Sequence, residues 1–124
     1  MFLNKKTIHL HDKTVVLYEV TALQRADYFD FLVEKEKESE GLEGAALTAK
    51  SIRTLAESQA WLVSRSLWNG DRTRDVEEIN SEVSASWGKS ALEEAVASIL
   101  DISGMASQND NSDDDQEDAE PLEK

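Results

Sequence analysis

The chain contains no cysteine. That excludes disulfide stapling, thiolate nucleophiles and cysteine-ligated zinc or iron–sulfur centres. Proline occurs once, at Pro121, and glycine five times, at Gly41, Gly44, Gly70, Gly88 and Gly104. Long stretches are thus free of helix breakers, and the glycines punctuate them. No run approaches the ~18 consecutive apolar residues that a membrane-spanning helix needs, so no membrane partner is expected. The opening Met1-Phe2-Leu3-Asn4-Lys5-Lys6-Thr7 sets apolar residues before basic ones and lacks the long apolar run of a signal peptide. The expected compartment is therefore the cytoplasm. Basic residues are scarce: 13 Lys and Arg stand against 26 Asp and Glu, a net charge of −13. Such a balance is the wrong sign for holding phosphates, and no nucleic-acid partner is expected.

What is present suits one small folded domain. The 124 residues are 40% hydrophobic and 31% charged, enough for a modest core and too few for two domains. The acidity is unevenly placed. Residues 106–124 hold eight acids against Lys124 alone, and the first 105 residues hold 18 acids and 12 bases. The terminal segment cannot bury enough apolar surface to offset its chain entropy, so 106–124 is expected to be a disordered acidic tail behind a folded domain at 1–105.

Within that domain the patterns change period. Ile8 and Leu10 alternate in one segment, the β-branched and aromatic run Thr14-Val15-Val16-Leu17-Tyr18 forms a second, and His11-Asp12-Lys13 makes a polar turn. A β-hairpin over 2–20 follows, with one face expected to lie on helices because two strands alone are marginal in water. Thr21 and Gln24 then have the spacing of a capping box. Ala22, Ala26, Phe29 and Val33 follow at helical spacing, while Leu23, Tyr28, Phe31 and Leu32 widen the apolar coverage beyond one stripe. A second helix carries Ile52, Leu55, Ala56, Gln59, Leu62, Val63, Ser66 and Leu67 on one face. Asp75 and Glu78 open a third around Val76, Ile79, Val83 and Trp87. Ser90 and Glu93 read as a capping box for a fourth around Leu92, Ala95, Val96, Ile99 and Ile102, closed by Gly104 in a left-handed cap. The expected fold is mainly α: a small bundle of about four helices (22–39, 45–69, 75–87 and 91–103) with an N-terminal β-hairpin.

Chemistry is hard to find in this pattern. An EF-hand alignment starting at Asp110 puts Asp115 where glycine is required and Pro121 where the bidentate glutamate should be, so the motif fails. His9 and His11, next to Asp12, have the i, i+2 spacing of strand-borne metal ligands, but a polar strand end at a turn explains them better. There is no Gly-rich phosphate loop, no G-x-S-x-G and no H-E-x-x-H. No catalytic residue, metal or cofactor is expected, and an enzyme is the least supported reading. Trp61 and Trp68 are the candidate partner-binding residues. At ~100° per residue they project together from the face of the second helix opposite its main stripe. Either they are core, packed by the hairpin or the fourth helix, or they anchor a partner helix or a second copy of the chain. The tail likewise reads as a solubilising extension or as an arm that keeps an intermediate soluble.

Five segments, taken in order, carry a family resemblance: Met1-Phe2-Leu3; Glu19-Val20-Thr21-Ala22-Leu23-Gln24-Arg25; Ala60-Trp61-Leu62-Val63 through Ser66-Leu67-Trp68; Ile79 to Val83 followed by Trp87; and Leu100-Asp101-Ile102-Ser103-Gly104-Met105 before the acidic tail. Together they resemble the lambda minor tail protein G family of phage tail assembly chaperones. Only the loop around Gly41 and Gly44 fits the pattern poorly. The resemblance implies a protein of the host cytoplasm that binds the tape measure protein and keeps it soluble while the tail tube polymerises, and that is absent from the mature virion. It also implies a longer form made by programmed frameshift, whose added domain recruits the tail tube protein, with 106–124 as the linker. Two rivals stay open. An acidic nucleic-acid mimic would need carboxylates fixed on a rigid surface. An export chaperone would differ in genome position, since a tail chaperone gene precedes a very long tape-measure gene.

Overall fold

The computed structural model describes residues 2–105. The acidic tail at 106–124, including the failed EF-hand alignment from Asp110 to Pro121, lies outside the described residues. Two strands and four helices follow one another: β1 (Lys5–Leu10), β2 (Lys13–Tyr18), α1 (Ala22–Glu38), α2 (Gly44–Gly70), α3 (Val76–Ser86) and α4 (Lys89–Ile102). The fold is mainly helical with an N-terminal hairpin, and the element boundaries fall within two residues of those read from the glycines and caps wherever the helices are concerned.

β1 and β2 pair antiparallel with Leu10 opposite Lys13, which leaves His11 and Asp12 as a two-residue loop. His11 takes the left-handed conformation that tight hairpins demand, with φ 57. Alternation places Ile8, Leu10 and Leu17 inward, where they join Val20 in the core. That face lies on α2 and α4. The last turn of the hairpin is held by side chains from those helices. Ser66 of α2 uses one hydroxyl twice: it accepts from the Tyr18 N–H and donates to the Tyr18 carbonyl, both at 2.8 Å. Asn69 donates to the Glu19 carbonyl at 3.0 Å, and Ser103 accepts from the Val20 N–H at 3.1 Å. The Tyr18 N–H and C=O, the Glu19 C=O and the Val20 N–H, all turned away from β1, thus find their partners on α2 and at the C-terminal end of α4.

α1 begins with the expected capping box: Gln24 N–H donates to the Thr21 hydroxyl, and the Gln24 carboxamide oxygen accepts from the Thr21 N–H. Its inward side is Gln24, Tyr28, Phe31, Leu32 and Lys35, whereas Ala22, Ala26, Phe29 and Val33 form a stripe exposed to solvent. α2 is the spine, 27 residues or about 40 Å long at ~1.5 Å per residue. α3 is capped by the Asp75 side chain, which accepts from Glu77 N–H. α4 departs from expectation at its start. Its N-cap is Gly88, with no side-chain cap, so Ser90 already lies inside the helix. The physical reason is that Leu92 N–H closes the first turn on the Gly88 carbonyl, and Glu93 is taken by Lys89 Nζ at 2.7 Å. At the other end Gly104, with φ 69, ends α4 as expected. Met105 N–H reaches the Leu100 carbonyl and Gly104 N–H the Asp101 carbonyl, a Schellman closure. The core is formed by Leu62, Val63 and Ala60 of α2, Ile79 and Val83 of α3, Leu92, Ala95 and Ile99 of α4, and the hairpin.

Gly70 sits where α2 meets β2 most closely. A Cβ there would run into the Tyr18 ring, within 2.8 Å of its Cδ1 and nearer still to Cε1. Gly70→Ala should gain up to about 1 kcal/mol of helix propensity and lose about 1–3 kcal/mol to overpacking, so the overlap wins. Urea unfolding should show net destabilisation in an otherwise wild-type chain, and none once Tyr18→Ala has removed the ring. A destabilisation that survives Tyr18→Ala would mean the ring is not its cause.

Candidate interaction surface

α2 carries one apolar stripe along its length, but only half of it has partners. Leu62, Val63 and Ser66, near the C-terminal end, are fully buried. Toward the N-terminal end the same stripe continues through Ala49, Ile52, Leu55, Ala56 and Gln59. There Ile52 is 66% and Leu55 52% exposed. The spine outruns what packs on it: α3 has 11 residues and α4 14, and both reach this region only at their junction. The result is an open groove of about 850 Å³. Ile52, Leu55 and Ala56 form one wall, and Trp87 and Leu92 from the α3–α4 junction form the other. Lys89 and Glu93 edge one rim, Arg53 and Glu57 the other, and each rim holds its own i, i+4 pair, at 2.7 Å and 3.9 Å.

α1 packs on the opposite side of α2, and there the seam is mixed. Trp61 lies between ring centroids of Tyr28 at 5.7 Å and Phe31 at 6.0 Å. Farther along, Lys35 pairs with Glu57 at 3.0 Å, and Lys50 with Glu38. The bond to Glu57 raises the Lys35 pKa, and the bond to Lys50 holds the Glu38 carboxyl below its ordinary value. Burial raises the Tyr28 phenol against a hydrogen bond with Ser58. On its outer side α1 leaves Phe29 and Val33 each 48% exposed, one turn apart on a convex face.

Trp61 and Trp68 are both half-buried against the core. They share a side of α2, but different elements engage them. The Arg65 guanidinium covers the Trp61 ring, 4.2 Å from its centroid. Arg72 stacks on Trp68 at 3.9 Å, and the Trp68 indole N–H donates to the Arg74 carbonyl at 3.0 Å, tying it to the α2–α3 loop. His9 is on the exposed side of β1, its Nδ1 3.2 Å from the Thr14 hydroxyl, while His11 belongs to the turn. Among the described residues no group of three or more His, Asp or Glu side chains is arranged to hold a metal ion. Nor is any described helix long and apolar enough to cross a membrane. The groove itself could not be read from spacing. Its wall on α2 was visible as a stripe, and Trp87 as the end of α3, but periodicity does not say which part of a stripe lacks a partner.

The model of the bacteriophage lambda tail assembly chaperone family, protein G, matches residues 1–120. The tail assembly protein G of Escherichia phage N15 is 29% identical over 114 residues, covering 85% of this chain and 78% of that protein. The corresponding protein of Escherichia phage lambda is also 29% identical over 114 residues, covering 79% of its own length. Tail assembly protein GT of phage N15 is longer: at the same identity over 114 residues, the match covers 44% of it. No solved structure matches the chain significantly. With nearly the whole sequence matched and a helical, groove-bearing domain in place, the chain belongs to the lambda tail assembly chaperone family, the protein G family.

Proposed function

We propose that this chain is a non-enzymatic chaperone that binds the tape measure protein and keeps it soluble until the tail tube polymerises around it. It acts in the host cytoplasm and is absent from the mature virion. The observation that carries the reading is the unpartnered apolar surface on the N-terminal half of α2, where Ile52 and Leu55 are exposed. It is set in a chain of net charge −13. Apolar side chains at helical spacing suit a helix-rich client, and the surrounding charge opposes aggregation of the complex. Many copies along one long client would gain from multivalency even where each contact is weak. The GT relative, of which the matched part is 44%, supports a longer form; that its added domain recruits the tail tube protein, with 106–124 as the linker, is part of the proposal. A frameshift is the route we propose for making the longer form.

Co-expression with the tape measure protein encoded by the same phage tests this directly. The soluble fraction of the client should rise several-fold, and the two should co-purify. A client equally insoluble with and without this chain would end the proposal. Trp61 and Trp68, both half-buried on the other side of α2, enter it as candidate contacts between copies of the chaperone. Trp61→Ala and Trp68→Ala should weaken self-association in sedimentation while keeping the far-UV spectrum; cooperative unfolding would place both rings in the core instead.

A further inference from the structure

We infer that the groove between the N-terminal half of α2 and the α3–α4 junction is the client's docking site, and that its occupant is one amphipathic α-helix with a basic polar face. The inference rests on the chaperone reading above and deepens it. The groove is the straight continuation of a seam the domain already uses. Along α2, Leu62, Val63 and Ser66 are covered by the hairpin, α3 and α4, and Leu92 in the first turn of α4 is the last residue to cover that stripe. Beyond it Ala49, Ile52, Leu55 and Ala56 keep the same helical spacing and stay exposed, with Gln59 half-buried where the cover ends. A helix laid there extends the existing packing, burying Ile52 and Leu55 on one side and leaning on Trp87 on the other. The open stretch of α2, at ~1.5 Å per residue, is about three turns long, which fits three or four apolar anchors on the occupant.

Charge sets the rest of its chemistry. The rim bases Arg53 and Lys89 are already matched by Glu57 and Glu93. The first 105 residues nevertheless hold 18 acids against 12 bases. A helix with a basic polar face is therefore attracted, and an acidic one of equal apolarity is repelled. The outer stripe of α1 is a poorer site. Phe29 and Val33 stand on the convex face of a single helix with no second wall, so a helix laid on them would bury one side only.

Binding of overlapping synthetic peptides from the tape measure protein to the full chain tests the assignment. Bound peptides should share apolar residues at helical spacing and a net positive charge, and should shift the Trp87 indole resonance. Ile52→Glu combined with Leu55→Glu should weaken them about tenfold or more. Both residues are more than half exposed, so the variant should keep the wild-type amide spectrum. Phe29→Glu with Val33→Glu should bind as wild type does. The assignment is overturned if the groove variant binds unchanged, if only the α1 variant loses binding, or if the peptides selected are acidic. It is equally overturned if the groove substitutions change only the sedimentation of the free chain, which would make the occupant a second copy. The two levels separate in co-expression. A client left insoluble by the wild-type chain removes the chaperone reading; one solubilised equally by the groove variant removes only the groove.

Discussion

Asn69→Ala should be among the most damaging single substitutions in the domain, costing about 3–4 kcal/mol of stability. For a domain near this size that corresponds to a Tm lower by about 12–25 °C. Asn69 is 1% exposed at the end of α2, and its carboxamide makes four hydrogen bonds. It donates to the Gln24 side-chain oxygen at 2.7 Å and to the Glu19 carbonyl at 3.0 Å. It accepts from the Gln24 side-chain nitrogen at 3.0 Å and from Arg72 at 2.7 Å. The two amides therefore face each other reciprocally, and the Gln24 oxygen simultaneously caps α1 through Thr21. Truncation leaves the Gln24 side-chain NH2 and the Glu19 carbonyl without partners in a place water reaches poorly, and each such loss costs about 1–3 kcal/mol, while the Gln24 oxygen keeps the Thr21 N–H. A double-mutant cycle with Gln24→Ala should return a coupling of about 1 kcal/mol or more, since the second truncation has less left to break. If Asn69→Ala shifts the urea midpoint no more than a typical surface substitution, the amide pair is not what joins α1 to the end of α2.

The same pair marks the boundary between what was legible in the sequence and what was not. Thr21 and Gln24 announced a helix start because the capping box is local chemistry, complete within four residues. That the Gln24 carboxamide would also meet Asn69 depends on two helices crossing, and nothing within either helix encodes it. The glycines located the helix ends because Gly104 supplies a conformation other residues reach at a cost. Gly88 by contrast serves as the N-cap of α4, and the expected Ser90–Glu93 box gave way to a Lys89–Glu93 ion pair. On α1, apolar residues surround more than half the helix, so spacing alone could not choose the buried side. The choice fell on Tyr28 and Phe31, which have Trp61 to stack against, and left Phe29 and Val33 outside.

The groove was half legible for a related reason. Hydrophobic periodicity identifies positions that want a partner, and it is silent on whether the same chain supplies one. α2 is the longest element, and its stripe runs on past α3 and α4. A stripe that outlasts its intramolecular partners is the pattern expected of a protein whose missing partner is another chain. The rigid base for that surface is the C-terminal half of the same helix, where polar side chains lock the hairpin and α1 to the spine.

That base gives the second large effect. Ser66→Val, which replaces the hydroxyl by a methyl and adds a second, should destabilise the domain by about 2–4 kcal/mol, chiefly through the lost hydrogen bonds. β2 is an edge strand: Glu19 N–H bonds back to the Asn4 carbonyl, so the N–H and C=O of Tyr18 point away from β1. Ser66, fully buried, meets both with a single hydroxyl at 2.8 Å, acting as acceptor to one and donor to the other. Valine would present methyl groups to two backbone dipoles that have no strand partner. Ser66→Thr keeps the hydroxyl and adds one methyl, so its loss should come from crowding alone and be smaller than that of Ser66→Val. Amide exchange at Tyr18 distinguishes the causes: it should accelerate strongly in Ser66→Val and little in Ser66→Thr. Equal destabilisation by the two variants, with equal protection at Tyr18, would show that the site is governed by volume and that the hydroxyl does not hold the strand.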